Sequence, residues 1–575
     1  MTTHSQSPTA APASQLRNGG RILVDQLRLH GVDTAWCVPG ESYLEVLDAF
    51  CDVGEEINLI TCRHEQGAAN MAEAYGKLTG KPGICFVTRG PGACNASIGI
   101  HTARQDSTPL ILFIGQVARD QFEREAFQEI DYRQMFGPMA KWVAQIENAE
   151  RIPEFVARAF RVATSGRPGP VVLALPEDML RDHVKIADGR PYAAVQANPA
   201  RNDLERLAGS LSQAKKPMAV IGGGGWTPQA CADITAFLSA WDIPVCSTFR
   251  RQDIVDNRVE VFVGELGYTL SPKLAKRMAE ADTLLLIGTR FGEVPSQGYE
   301  VPNPACLTQT VLHIHAEPEE IGRVWTPTVG IVSGMAEFAA AIGKIPVVKG
   351  DWAAWRQAAR ADYLGFIDPD GAVVPEGSLD MRVVVRDLRD LMPDDAIMTI
   401  DAGNFSGWVH RFLPFKTPRT QLAPTCGAMG YSIPAAVGAS IMHRDRMVIG
   451  FVGDGGFMMT QHEIATAVQY GGRPIIIVVN NGMYGTIRMH QEKRHPGRVS
   501  ATELKNPDFV ALARSFGVHG ELVTDETQFR GAFERSRDSG TAAVIEIRLP
   551  QEAISTATTL SKLRESAFAA QKNGQ

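Results

Sequence analysis

The residues best placed to do chemistry lie in GFVGDGGFMMTQHEIATAVQYGGRPIIIVVNNGMYG, positions 450–485. One apolar run, MVIGFV, breaks at Gly453-Asp454-Gly455-Gly456, and a second, IIIVV, breaks at Asn480-Asn481. Between them, Thr460 and Glu463 have the spacing of a capping box and Gly471-Gly472 suits a helix stop. The pattern predicts strand, glycine turn, helix, strand. Glycines at the carboxyl edge of such a unit let backbone N–H groups approach an anion. Asp454 and Asn481 would then offer a carboxylate and an amide oxygen to one hard cation, with water and diphosphate oxygens completing an octahedral shell. An Asp in a tight turn, or an Asn pair in a loop, is ordinary by itself; the whole unit is not.

GDG, a helix, then NN, with Asn481 27 positions after Asp454, resembles the cofactor motif of the thiamine-diphosphate enzymes. The resemblance implies magnesium on Asp454, Asn481 and the backbone carbonyl of Met483, with Gly455, Gly456 and Gly485 against the cofactor. Such chemistry needs a second group, because the thiazolium C2 proton must be lost. In this family a glutamate protonates the pyrimidine ring nitrogen, and the segment 63–76, RHEQGAANMAEAYG, puts Glu65 in that place. Its alanines and glycines suit a closely packed helix, on which Glu73 is expected to face solvent. The turn Arg89-Gly90-Pro91-Gly92-Ala93-Cys94-Asn95 resembles the family's turn beneath the cofactor, which implicates Gly90, Gly92 and Asn95. Asp401-Ala402-Gly403-Asn404 resembles the segment meeting the diphosphate, through Gly403 and Asn404. In Thr425-Cys426-Gly427-Ala428-Met429-Gly430-Tyr431, Gly427 adjoins the cofactor and Met429 is the apolar wedge that bends it.

Over nearly the whole chain the pattern is most similar to the large catalytic subunit of acetolactate synthase. That resemblance implies decarboxylation of a pyruvate-like 2-oxo acid and transfer of the acyl-anion equivalent to an acceptor. Phe127 and Gln128, in Ala126-Phe127-Gln128-Glu129, would line the thiazolium side, with Gln128 acting catalytically. Three positions depart from the family and all bear on the acceptor: Glu177 and Val294 where it has cations, and His490 where it has a tryptophan. Losing two cations weakens a carboxylate site unless Arg488 or Arg89 replaces them. Arg488 and His490 are the remaining substrate candidates. A plain decarboxylase or lyase of the benzoylformate decarboxylase type is the alternative, although Thr88 stands where that enzyme has a working histidine. From another class, a non-catalytic thiamine-diphosphate binder would have kept the fold without turnover. FAD, carried by acetolactate synthases in their middle domain, is possible here after Gly222-Gly223-Gly224-Gly225, but Gly264-Glu265-Leu266-Gly267 departs from the flavin-side motif.

The elements that must position these groups follow from apolar runs alternating with amphipathic stretches, which predict an α/β fold of three doubly wound parallel-sheet domains. Strands are expected at 83–88, 110–115, 170–176, 217–223, 283–288, 396–403, 447–455 and 474–481. Weak pattern at 185–203 and 345–378 separates a pyrimidine-binding domain (17–185), a central Rossmann-like domain (200–345) and a diphosphate-binding domain (375–550), with tails at 1–16 and 551–575. Glu65 and the metal ligands fall in different domains, which in this family come from different subunits, so a homodimer or dimer of dimers is implied. A net charge of −7 with interspersed signs speaks against nucleic acid and anionic membranes and for a small-molecule partner. No apolar window is long enough for a membrane span. Nine scattered cysteines, none spaced CxxC, fit a reducing cytoplasm better than a disulfide framework or a zinc site.

Overall fold

The computed structural model describes residues 15–347 and 350–573, so most of the expected 1–16 tail lies outside the described residues. Three six-stranded parallel sheets organise the chain. The first runs, in spatial order, Asn58–Thr61, Thr34–Cys37, Gly83–Val87, Leu110–Gln116, Pro170–Pro176, Trp142–Gln145. The second runs Phe262–Leu266, Val245–Thr248, Pro217–Ile221, Thr283–Ile287, Thr310–His315, Val329–Val332. The third runs Gln421–Leu422, Ile397–Ile400, Val448–Gly453, Ile475–Asn480, Ala543–Arg548, His519–Val523. Central strands such as LILFIGQ are buried along their whole length because helices cover both faces. Edge strands such as Trp142–Gln145 and His519–Val523 mix polar with apolar residues, so a reading built on apolar runs passes over them.

Six helices carry the argument: α1 (Glu65–Thr79), α2 (Gly90–Asp106), α3 (Ser432–Met442), α4 (Asp454–Thr460), α5 (Ile464–Tyr470) and α6 (Gly485–Arg494). The small residues of α1 permit close packing on two partners. A Cβ on Gly99 of α2 would stand 2.4 Å from Ala69 Cβ, and one on Gly438 of α3 would stand 3.2 Å from Met71. One apolar cluster therefore runs from the first domain into the third.

Four expectations need correction. Thr460 caps nothing with its side chain, and a 3-10 turn, Gln461–Glu463, separates α4 from α5. Glu463 instead takes N–H groups of the first domain, described below. Glu73 is fully buried, because its side chain meets Lys77, Thr108 and Tyr431 rather than solvent. The weak-pattern stretch 345–378 holds a helix, Ala353–Phe366, against the second sheet. The supposed tail 551–575 holds the helix Leu560–Asn573, which packs on α6.

That last helix is fastened by charge. Arg564 donates to Glu492 from Nε (2.9 Å) and Nη2 (2.7 Å), while Arg488 Nε (3.0 Å) and Gly497 N (2.8 Å) reach the same carboxylate. The Arg564 hydrogen bond, outweighing burial, holds the Glu492 carboxyl down at about 2. A depressed carboxyl stabilises the fold above its ordinary value of roughly 4.3 and loses that contribution as pH falls toward 2, so the clasp is fully closed at neutral pH. Glu492→Gln is expected to speed cleavage of the C-terminal helix in limited proteolysis at pH 7 while the three sheets stay resistant. Equal cleavage rates for both proteins would refute the clasp.

Candidate active site

The third sheet sets the site's first half. Gly453 pairs in register with Val479, so the chain leaves these neighbouring strands at Asp454 and at Asn480-Asn481, side by side. Asp454 is buried, and its Oδ2 accepts from Asn506 Nδ2 at 2.7 Å. Burial pushes its carboxyl above the ordinary aspartate range, against the opposing pull of Asn506 and neighbouring backbone N–H groups. Asn506 also donates to Asn480 Oδ1 (3.0 Å), and Asn480 donates to Glu546 (2.9 Å). Asn481, half-buried, makes no side-chain hydrogen bond among the described residues. The next turn is pinned by Tyr484 N to Thr502 O and Leu504 N to Gly482 O, both 2.8 Å, which fixes the Met483 backbone between them.

Glycine is required here for close approach. A Cβ on Gly485 would stand 2.8 Å from Asn404 Oδ1 and 3.3 Å from Asn481 Nδ2, so the structure brings Asn404, Asn481 and Gly485 together. A Cβ on Gly456 would stand 2.2 Å from Asp401 Oδ2. Asp401 accepts from Gly430 N (2.9 Å), Tyr431 N (3.4 Å) and Ala402 N (2.8 Å), and burial lifts its carboxyl to about 6. It thereby ties the turn bearing Met429 to the Asp454–Gly456 edge. Gly427 has a φ of +72°, and a Cβ there would meet no atom within 4 Å, which leaves open space beside Met429.

Glu65 opens α1 and is mostly buried. Asn95 Nδ2 donates to its Oε2 at 2.9 Å, and Oε1 lies 3.5 Å from where a Cβ on Gly92 would be. The glutamate thus sits on the first turns of α2. Its backbone is held from the third domain: Glu463 Oε1 accepts from Arg63 N (3.1 Å) and His64 N (3.0 Å), and a Cβ on Gly67 would strike that same oxygen. Gln66 Nε2 lies 3.3 Å from a Cβ position on Gly430, so α1 also borders the Met429 turn.

Gly90 N donates to Gln128 O at 3.0 Å, which seats the 126–129 loop on the start of α2. Glu129 folds this loop by accepting from Glu123 N (2.8 Å) and Ala126 N (3.0 Å). Gln128 has a left-handed φ of 66°, a strained setting for a non-glycine residue, and Phe127 is 72% exposed. The two arginines considered for an acceptor carboxylate are both engaged. Arg89 pairs with Glu177, and Arg488 with Glu492. His490 is exposed on α6, where partial burial and then Lys493 and Arg494 lower its pKa. The Thr88 hydroxyl is bonded to Ser42 at 3.0 Å.

Asn506 and Glu463 are site residues that sequence reasoning misses. Neither sits in a motif that announces its role, and the glutamate's spacing suggests a local cap instead.

A buried carboxylate without a basic partner among the described residues, flanked by amides and glycines on one sheet edge, suits a divalent cation bridging a diphosphate. A second buried carboxylate, Glu65 on a neighbouring domain, suits a proton-holding acid. Such an arrangement is what a cofactor-dependent enzyme needs. Comparison with known proteins agrees. Models described as the N-terminal binding, central and C-terminal binding domains of thiamine pyrophosphate enzymes match residues 17–135, 204–342 and 401–547. The acetolactate synthase large subunit of Parasynechococcus marenigrum is 32% identical over 94% of this chain and 88% of its own length. The isozyme 2 large subunit of Escherichia coli is 30% identical over 93% and 96%. The large subunit of Lactococcus lactis is 32% identical over 89% of each. The chain belongs to the thiamine pyrophosphate enzyme family and is acetolactate-synthase-like within it.

Proposed function

We propose that the protein decarboxylates a pyruvate-like 2-oxo acid and transfers the acyl-anion equivalent to an acceptor. The single observation that carries this is the pairing of a buried Asp454/Asn481 edge with an Asn95-held Glu65 in one acetolactate-synthase-like chain. Asp454, Asn481 and the Met483 carbonyl would hold magnesium, with Gly403, Asn404, Gly455, Gly456 and Gly485 around the diphosphate and Gly90 and Gly92 beneath the cofactor. When bound, thiamine diphosphate supplies the nucleophilic carbon and the electron sink for breaking a bond beside a carbonyl. Glu65 would hold a proton at the pyrimidine ring nitrogen, Met429 would support the cofactor, Phe127 and Gln128 would line its thiazolium side, and His490 would face the acceptor. Arg488 lies on α6 beside this edge, its charge met by Glu492 one turn along the same helix. The active unit is a homodimer or dimer of dimers. Nine free thiols fit a reducing cytoplasm, and among the described residues no helix is long and apolar enough to cross a membrane.

We assign no role to FAD. The middle-domain glycines make their close approaches to protein: a Cβ would stand 2.0 Å from Thr248 Oγ1 at Gly222, 1.9 Å from Gly288 O at Gly223 and 2.3 Å from Ser107 O at Gly224. Glu265, at the flavin-side departure, is buried and accepts from Arg250 N at 2.7 Å.

A second reading, a decarboxylase or lyase with a neutral acceptor or none, is favoured by the Arg89–Glu177 and Arg488–Glu492 pairs, which leave neither cation for a second carboxylate. Incubation with pyruvate alone, followed by mass spectrometry, separates the two. Acetolactate supports the synthase, and acetaldehyde alone supports the decarboxylase. Turnover is expected to vanish without thiamine diphosphate and magnesium. No turnover on any of a panel of 2-oxo acids would overturn both.

A further inference from the structure

Three charged groups lie buried where α1, α2 and the third domain meet. Lys77 Nζ, on α1, pairs with Asp106 at the end of α2 and lies 3.1 Å from Glu73 Oε1; all three side chains are 3% exposed or less. Burying two carboxylates and one ammonium is no efficient way to stabilise a core, since apolar residues of similar volume do as well or better. Their remaining bonds reveal a shared direction. Lys77 Nζ donates to Ala423 O at 3.0 Å. Asp106 Oδ1 accepts from Thr425 N at 2.8 Å and from the Thr425 hydroxyl. Glu73 Oε2 accepts from Tyr431 OH at 2.6 Å. Apart from the Thr108 hydroxyl, which donates to Glu73 Oε1 at 2.7 Å just beyond α2, these partners lie in the segment 423–431, the turn that carries Met429, and they grip it on both sides of Gly427–Met429.

Burial alone would raise both carboxyls. At Asp106 the charge and hydrogen bond of Lys77, with the bond from Thr425, prevail and leave it below the usual aspartate range; at Glu73 burial prevails. Asp106 is thus the anion that Lys77 stabilises and that Thr425 reads.

We propose that Asp106, with Lys77 and Glu73, is a positioning device that sets the height of the Met429 turn against the cofactor, so that α1 and α2 control the third domain's half of the site. This rests on the reading of Met429 as the cofactor's support. The side chains touch no reacting atom, so their effect must pass through Met429. Displacement of a catalytic contact by about 1 Å can cost on the order of a hundredfold in rate.

The test is a double-mutant cycle on the magnesium-loaded holoenzyme, reading pyruvate turnover, donor KM and thiamine diphosphate affinity. Asp106→Asn and Met429→Ala are each expected to lower kcat roughly tenfold or more with donor KM little changed. The double variant is expected to be no worse than Met429→Ala alone, because residues acting as one unit are not additive. Thr425→Val removes only the hydroxyl at the other end of the contact. It keeps the cycle informative should Asp106→Asn fail to fold. Multiplicative effects in the double variant, with Met429→Ala itself impaired, would overturn the positioning role and leave the Met429 assignment intact. Unchanged turnover and affinity in Met429→Ala would overturn that assignment, and this inference with it.

Discussion

Exchanging Glu65 for glutamine is expected to lower kcat by ~10²–10⁴-fold while cofactor affinity and donor KM stay within about threefold. The reason is geometric. Asn95 donates to one carboxyl oxygen at 2.9 Å, and an amide oxygen can accept that bond equally well. His64 Nδ1 accepts from Gln66 N at 3.1 Å, and Glu463 takes the N–H groups of Arg63 and His64, so the start of α1 does not depend on the Glu65 charge. What glutamine cannot do is hold an exchangeable proton at the pyrimidine nitrogen. The loss should therefore appear in the chemical step alone, with the melting temperature almost unmoved. Steady-state kinetics beside a thiamine diphosphate titration checks this. Residual kcat above a tenth of the parent value would remove Glu65 from the acid's role.

The places of Glu65 and Asp454 follow from local pattern, Glu65 opening a small-residue helix and Asp454 following the break of an apolar run, while the roles proposed for them come from the family resemblance. The assignments of Gly427 and Met429 rest on the family resemblance, with a methionine among glycines and alanines as the only local sign. Glu463 is not legible. Three residues after Thr460 it satisfies the capping-box spacing, yet its carboxylate reaches N–H groups 399 and 400 residues away. Sequence spacing cannot tell a local acceptor from one recruited by tertiary packing, and here the long-range donors win because the backbone N–H groups of Arg63 and His64, at the entry to α1, have no other acceptor among the described residues. Glu73 fails for the related reason that a helix dipole argument ignores what packs on that face; Tyr431, Thr108 and Lys77 bury and satisfy it. Asn506 comes from an irregular loop, where neither periodicity nor a motif marks a side chain. The parallel sheets themselves are the most legible feature, since strands covered on both faces must be apolar throughout.

The opposite signature is expected for Asp454→Asn, which should abolish magnesium-dependent retention of the cofactor while leaving the empty protein as stable as the parent or more so. In the empty protein Asp454 is an anion raised by burial, with Asn506 and backbone N–H groups as its neighbours. A carboxyl raised in the folded state contributes stability at low pH and loses it as pH rises through the folded value, so at neutral pH the ionised group is a cost. Asparagine removes that cost and still accepts from Asn506. Magnesium reverses the balance, because a hard divalent cation draws most of its affinity from the anionic oxygen and an amide replaces it poorly. The parent protein should therefore gain about 2.7 kcal/mol of apparent stability when thiamine diphosphate and magnesium are present at a hundred times their Kd. The variant should gain almost none at the same concentrations. Thermal unfolding with and without the pair, beside turnover measurements, gives the comparison. An Asp454→Asn protein that keeps the parent's ligand-induced shift would show that the cation is held elsewhere, and with it the diphosphate edge of the third sheet would lose its assigned role.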